Sequence, residues 1–185
     1  MATVLIHTCC GPCLIYPYLQ LRKLGYEVFS YFYNPNIHPY EEYIKRLKAW
    51  ESYVKGEKIA YEVGEYHPEA YFRAVSFHEV DRCLFCYSLR LGEAASKASE
   101  MAMDYFTSTL LVSRYQDHEA VIRVGESMGE VFEVPFLYID FREGYYEGVE
   151  RSRELSMYRQ WYCGCLYSER ERVIEKKEKR GKKEE

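Results

Sequence analysis

Four short runs rich in β-branched and aromatic residues, TVLIHT (3–8), EVFSYFY (27–33), IAYEV (59–63) and DYFTSTLLV (104–112), are separated by stretches with helical periodicity. That alternation limits the fold more than any other feature of the chain. Strands divided by helices pair in parallel, and a parallel sheet must be covered on both faces. Helices are expected over Leu14–Leu24, closed by Gly25, and over Tyr40–Lys55, where Tyr43, Leu47, Trp50 and Val54 share one face. Further helices are expected over 68–77, 82–101, 117–128, 145–158 and 167–179, and one more strand over 131–136. The expected fold class is therefore α/β, a three-layer sandwich on a mostly parallel sheet with a C-terminal helical extension. At 185 residues it reads as one domain over 1–180 with a charged tail at 181–185. No stretch approaches a transmembrane span, and no charged segment followed by an apolar one opens the chain, so a cytoplasmic protein is expected.

In open parallel sheets ligands sit beyond the C-terminal ends of the strands. At the end of the first strand stands HTCCGPC, His7–Cys13, where a nucleotide-binding relative would carry its phosphate loop. No GxGxxG and no P-loop lysine is present, so the position carries thiols in place of a phosphate cradle. Gly11-Pro12 is expected to forbid regular helix or strand in this turn. Cys9 and Cys10, adjacent on a chain leaving a strand, should point to opposite sides and serve two neighbouring centres. Three small buried thiols used as apolar filling is the bland alternative.

The seven cysteines cluster at 9/10/13, 83/86 and 163/165. An odd, clustered set in a cytosolic chain points to metal or redox chemistry over structural disulfides. Cys83 and Cys86 form a CxxC at the start of a helix, with both sulfurs on one face and the helix dipole lowering their pKa. Zinc, iron–sulfur and dithiol sites all use that spacing. With Cys10 the pair makes a three-thiolate set, one short of a closed four-cysteine site. Asp81 could add a hard oxygen ligand to a second metal beside Cys9, and it also fits a helix N-cap. Cys163-Gly164-Cys165 can close only a small strained ring, which suits a two-electron dithiol switch; additional metal ligands are the alternative. His7 and His118 read as structural histidines, and most of the 20 tyrosines as core.

The net charge of −4 argues weakly against nucleic acid, but the distribution is uneven. From Glu169 onward eight Lys/Arg face six Glu, and Arg142, Arg151, Arg153 and Arg159 precede that stretch.

Taken together, HTCCGPC, RCLFCYSLRL, TSTLLVS and SRELSMYRQWYCGC resemble the cobalamin-independent epoxyqueuosine reductases of the QueH type, over about residues 4–173. The resemblance implies an HUP-like (adenine nucleotide alpha-hydrolase-like) fold. It implies an oxidoreductase that removes the epoxide oxygen of epoxyqueuosine at the tRNA wobble position, the last step of queuosine biosynthesis. It also implies a [4Fe-4S] cluster with an additional iron ion beside it. Carried residue by residue, Cys10, Cys83 and Cys86 would hold the cluster, Cys9 and Asp81 the additional iron, and Cys163 and Cys165 would be the redox pair. Cys13 matches the motif without an assigned role. The partners expected are tRNA carrying epoxyqueuosine and an external electron donor, with the arginines above and the tail holding tRNA phosphates. Three rivals stand against this: a structural zinc protein, a zinc- or iron-binding dithiol oxidoreductase acting on protein disulfides, and an ATP-dependent tRNA thiolation enzyme. The missing phosphate loop argues against the last.

Overall fold

The computed structural model describes residues 1–184, with side chains through residue 181. Its sheet has four parallel strands, β1 (Thr3–His7), β2 (Glu27–Phe32), β3 (Ala60–Val63) and β4 (Tyr105–Ser108), in the order β3-β2-β1-β4. Helices α1 (Gly11–Lys23) and α2 (Tyr40–Gly56) make the crossovers from β1 to β2 to β3. Helices α3 (Pro68–Val75) and α4 (Arg82–Glu100) then carry the chain back past β1 to β4. Right-handed crossovers place the outgoing and returning helices on opposite faces. The packing agrees: α1 lies against α2, and α4 against α3 and α5 (His118–Phe132). Helix α6 (Tyr145–Glu154) packs on α1, and α7 (Leu166–Glu184) follows it. This is the α/β sandwich expected, and no described helix is long and apolar enough to cross a membrane.

The core follows the strand pattern. Val4, Leu5, Ile6, Phe32 and Phe106 are fully buried and meet Leu14, Trp50, Leu91 and Ala95 from the helices. The strand order reverses at β1, which has β2 on one side and β4 on the other. In register, His7 lies between Tyr31 and Ser108, so the chain leaving β1 emerges in the switch-point crevice.

Several expected boundaries move, each for a local reason. Helix α1 begins at Gly11, inside the turn expected to be irregular. Proline is tolerated in a first turn, where the missing N–H would have no intrahelical partner. The run 104–112 is strand only to Ser108, whose hydroxyl accepts the Leu110 N–H at 3.1 Å and turns the chain into a 3₁₀ helix over Thr109–Val112. The strand expected at 131–136 is reduced to one parallel bridge, Phe106 to Phe136, while α5 continues to Phe132. Pro135 has no N–H to give to a ladder. Helix α6 stops at Glu154, four residues early, and Ser156 is left-handed (φ 51°). The freed segment 155–165 is what descends to the site. Helix α7 runs through Glu184, so the expected tail at 181–185 is helical to that point, and Glu185 lies outside the described residues.

Candidate metal centre and active site

The start of α1 gathers three thiols. Cys10 is extended at the N-cap position (φ −169°, ψ 160°), which swings its sulfur back toward the helix it precedes. Cys9 Sγ lies 3.9 Å from Cys10 Sγ, and Cys10 Sγ lies 2.7 Å from Cys13 Sγ. All three sulfurs fall within 4.8 Å of one another. The sequence expectation sent Cys9 and Cys10 to opposite sides; the helix beginning at Gly11 bends the chain before that divergence develops. It also brings in Cys13. A Cβ on Gly11 would stand 2.5 Å from Met157 Cε and 3.1 Å from the backbone of Ala49, so a larger residue here must displace the Met157 side chain and press on α2.

Across the switch point, Thr109 accepts the Cys9 N–H on Oγ1 at 3.1 Å, with its hydroxyl 3.4 Å from Cys9 Sγ. Gln160, from the segment after α6, donates its amide to Cys10 Sγ at 2.9 Å. His7 is a satisfied core histidine: Nε2–H donates to the Tyr33 carbonyl at 3.0 Å and Nδ1 accepts from Ser108 at 2.9 Å. Burial, ahead of the nearby Arg90 charge, pushes its pKa down to about 3, so it stays neutral.

Cys83 and Cys86 sit in the first turns of α4, Cys83 exposed and Cys86 buried. Their pKa values are not lowered as expected. Although Cys83 is exposed as a residue, loss of water around its sulfur raises it, and burial raises Cys86 to about 12. Asp81 holds the N-cap position, but its carboxylate makes no capping bond, and it is exposed. Cys86 and Cys165 share a small apolar cluster with Tyr71 and Val75.

The CGC segment is pinned by its backbone. Gly164 has φ +147°, open only to glycine, and its carbonyl accepts the His38 N–H at 2.8 Å. Arg46 of α2, 1% exposed, donates Nη1 to the Cys163 carbonyl at 2.7 Å and Nη2 to the Tyr162 carbonyl at 3.1 Å. Its Nε is held at 2.7 Å by buried Glu42. The two thiols are unequal. For Cys165, burial is outweighed by the Ser168 hydroxyl, the Tyr71 hydroxyl and the Ser168 N–H, which leave it below the ordinary thiol value. Burial raises Cys163, against the Arg90 charge and the Gln116 amide at 3.3 Å. All seven cysteines are free thiols.

One side chain ties the three motifs together, and the sequence pattern gives no sign of it. Arg90, 1% exposed, is four residues beyond Cys86 on the inner face of α4. Its Nη1 lies 3.8 Å from Cys86 Sγ and its Nη2 donates to Asn34 Oδ1 at 2.9 Å; Nε has no partner. No carboxylate pairs with it among the described residues. The groups its charge acts on are the sulfurs of Cys86, Cys9 and Cys163, one from each motif. A fully buried cation without a carboxylate is rare, because its desolvation is uncompensated. Of the three sulfurs, only that of Cys9 is held below the ordinary thiol value; those of Cys86 and Cys163 are raised. Hydrogen bonds from Cys10 and Cys13, ahead of the Arg90 charge, hold Cys9 below the ordinary thiol value. Burial raises Cys10, and its neighbours Cys10 and Cys9 raise Cys13.

A family model described as epoxyqueuosine reductase QueH matches residues 4–171. The chain belongs to the epoxyqueuosine reductase QueH family. It is accordingly an oxidoreductase of tRNA modification, acting on epoxyqueuosine in queuosine biosynthesis. Epoxyqueuosine reductase QueH of Dehalococcoides mccartyi is 36% identical over 176 residues, covering 91% of this chain and 93% of that protein. The Thermotoga maritima protein of the same name is 36% identical over 189 residues, covering 97% and 94%. Among solved structures, a predicted subunit of a tRNA methyltransferase from Methanocaldococcus jannaschii superimposes with a TM-score of 0.56 at 14% identity, over 83% of this chain and 75% of that one. That likeness shows the fold alone. The QueH match runs through all three cysteine motifs.

Proposed function

We propose that this QueH-family enzyme reduces epoxyqueuosine in tRNA at a thiolate-held iron centre in the switch-point crevice, with Cys163 and Cys165 as its redox dithiol. The observation that supports the reading is the buried guanidinium of Arg90, 3.8 Å from Cys86 Sγ, whose charge also acts on the sulfurs of Cys9 and Cys163. On this reading the three motifs, far apart in sequence, serve one site.

The residues fit such a centre. Their sulfur donors are soft and suit iron–sulfur or zinc binding. We assign Cys10, Cys83 and Cys86 to a [4Fe-4S] cluster, and Cys9 with Asp81 to the additional iron ion; the Asp81 carboxylate is free of any capping bond. Cys13, within 4.8 Å of Cys9 and Cys10, joins the ligand candidates. When bound, such a centre would supply electrons and a Lewis acid for a departing oxygen.

The remaining work falls to the chain itself. Removing an epoxide oxygen consumes two electrons and two protons and leaves an alkene and water. Oxidation of the Cys163 and Cys165 thiols to a disulfide releases two electrons and two protons, and an external donor must then reduce it. Cys165 is the more acidic thiol, whereas Cys163, raised by desolvation of its sulfur, keeps its proton at Sγ. Arg46 and Glu42 hold the segment that carries both.

The test uses anaerobically reconstituted protein, tRNA carrying epoxyqueuosine and a low-potential reductant. Nucleoside mass analysis should show loss of one oxygen. Cys163→Ser should retain its iron while turnover falls at least 100-fold. Unchanged substrate with iron and sulfide bound would refute the assignment; a colourless zinc protein without acid-labile sulfide would sink the cluster.

A further inference from the structure

We propose that an open groove between the Arg114–Tyr115 turn and α6 docks the single-stranded nucleotides flanking the modified base. Their bases would stack on tyrosines, and their phosphates would lie on three arginines. This rests on the tRNA reading above and locates it on the surface.

The groove has a volume of about 490 Å³, within the ~300–1,000 Å³ common for ligand sites. Its lining includes Arg114, Tyr115, Tyr145, Tyr146, Arg153 and Arg159. Tyr115 is 74% and Tyr146 62% exposed. The rings form a continuous ledge: Tyr145 meets Tyr115 edge-on at 6.3 Å and Tyr146 at 5.4 Å. Arg114 lies 4.7 Å from the Tyr146 ring and donates to its hydroxyl at 2.8 Å. Among the described residues none of the three arginines makes an ion pair; Glu150 is the one acid on the wall. Unneutralised guanidinium groups beside exposed π faces are complementary to single-stranded nucleic acid, which offers a phosphate and a base face at each step.

The ledge also leads to the chemistry. A cavity of about 80 Å³ shares Tyr145, Val149 and Arg159 with the groove and reaches Cys13 and Gln160. The four-arginine patch expected from sequence is thereby narrowed. Arg142 is neutralised by Asp140 at 2.6 Å and Arg151 by Glu154 at 2.9 Å, while Arg153 and Arg159 line the groove with Arg114.

The experiment measures binding of an anticodon stem–loop RNA, with guanosine at the wobble position, to the full chain by anisotropy across a salt series. Arg153→Glu should weaken binding at least tenfold and flatten the salt slope, by ~0.7 for each phosphate no longer neutralised. Arg151→Glu, the same charge change two residues away, should bind within twofold of wild type. Tyr115→Ala with Tyr146→Ala should weaken binding at least fivefold without changing the slope, and Tyr→Trp at both positions should restore it. Equal effects of the two arginine reversals, or wild-type binding by the tyrosine variant, would overturn the groove while leaving the tRNA reading intact. Wild-type protein that binds no RNA at all would overturn both.

Discussion

At the scale of single residues, the site depends on charges placed where water cannot reach them. Arg90 is the clearest case. No carboxylate among the described residues offsets its desolvation, and its charge acts on the sulfurs of Cys86, Cys9 and Cys163. Replacing it would leave the thiolate ligands of a bound centre without their buried counter-ion. Arg90→Met is expected to retain less than half the wild-type iron after anaerobic reconstitution, and Arg90→Lys most of it, with iron and sulfide per chain as the readout. Equal iron in Arg90→Met and wild type would show that Arg90 serves packing alone. The seven thiols were legible from spacing, because cysteine clustering is rare enough to stand out. Arg90 was not, since one arginine in a charged helix looks like any other until the inner face is known. Gln116 and Gln160, two of only three glutamines in the chain, belong to the same class.

Among the elements, α2 does more than cover the sheet. The apolar face read from Tyr43, Leu47, Trp50 and Val54 is present, but Glu42 and Arg46 are buried beside it. That pair inserts under the CGC segment and takes two of its carbonyls. Truncating one member strands the other's charge, at a cost of about 3–5 kcal/mol. Glu42→Ala should lose about that much stability in urea, and Glu42→Leu with Arg46→Met should lose less than the two single changes added together. A loss below about 1 kcal/mol for Glu42→Ala would mean that the pair is not holding the segment. Helical periodicity found the helix and missed the pair, because polar residues at the rim of an apolar face are ordinarily solvated.

For the whole molecule, two buried histidines set an acid limit. Burial lowers His7 to about 3 and His38 to about 4, against about 6.5 in an unfolded chain. Below pH 6.5 the unfolded state takes up these protons and the folded state does not. Their contribution to stability is therefore complete above pH 6.5 and is lost on acidification, at about 1.4 kcal/mol per pH unit for each proton, until His38 titrates near 4 and His7 near 3. Exposed His67, raised by its hydrogen bond to Glu65, opposes this trend. Urea midpoints from pH 7 to 4 should fall, and His38→Phe should roughly halve the slope across that window. A flat profile for wild type would show that neither ring is held neutral.

The sequence by itself determined the alternation of strands and helices, hence a parallel α/β sheet, and it determined the thiols and the family, through motifs whose order and spacing are specific. These are properties of local pattern, and local pattern is written along the chain. The tertiary structure decided which motifs face one another. It closed Cys9, Cys10 and Cys13 into one group by starting α1 at Gly11, set Arg90 among three motifs, and left Tyr115 and Tyr146 in solvent. Where a helix starts within a turn, which charge is buried and which ring stays in solvent are settled by how the whole chain packs, and no local pattern carries that.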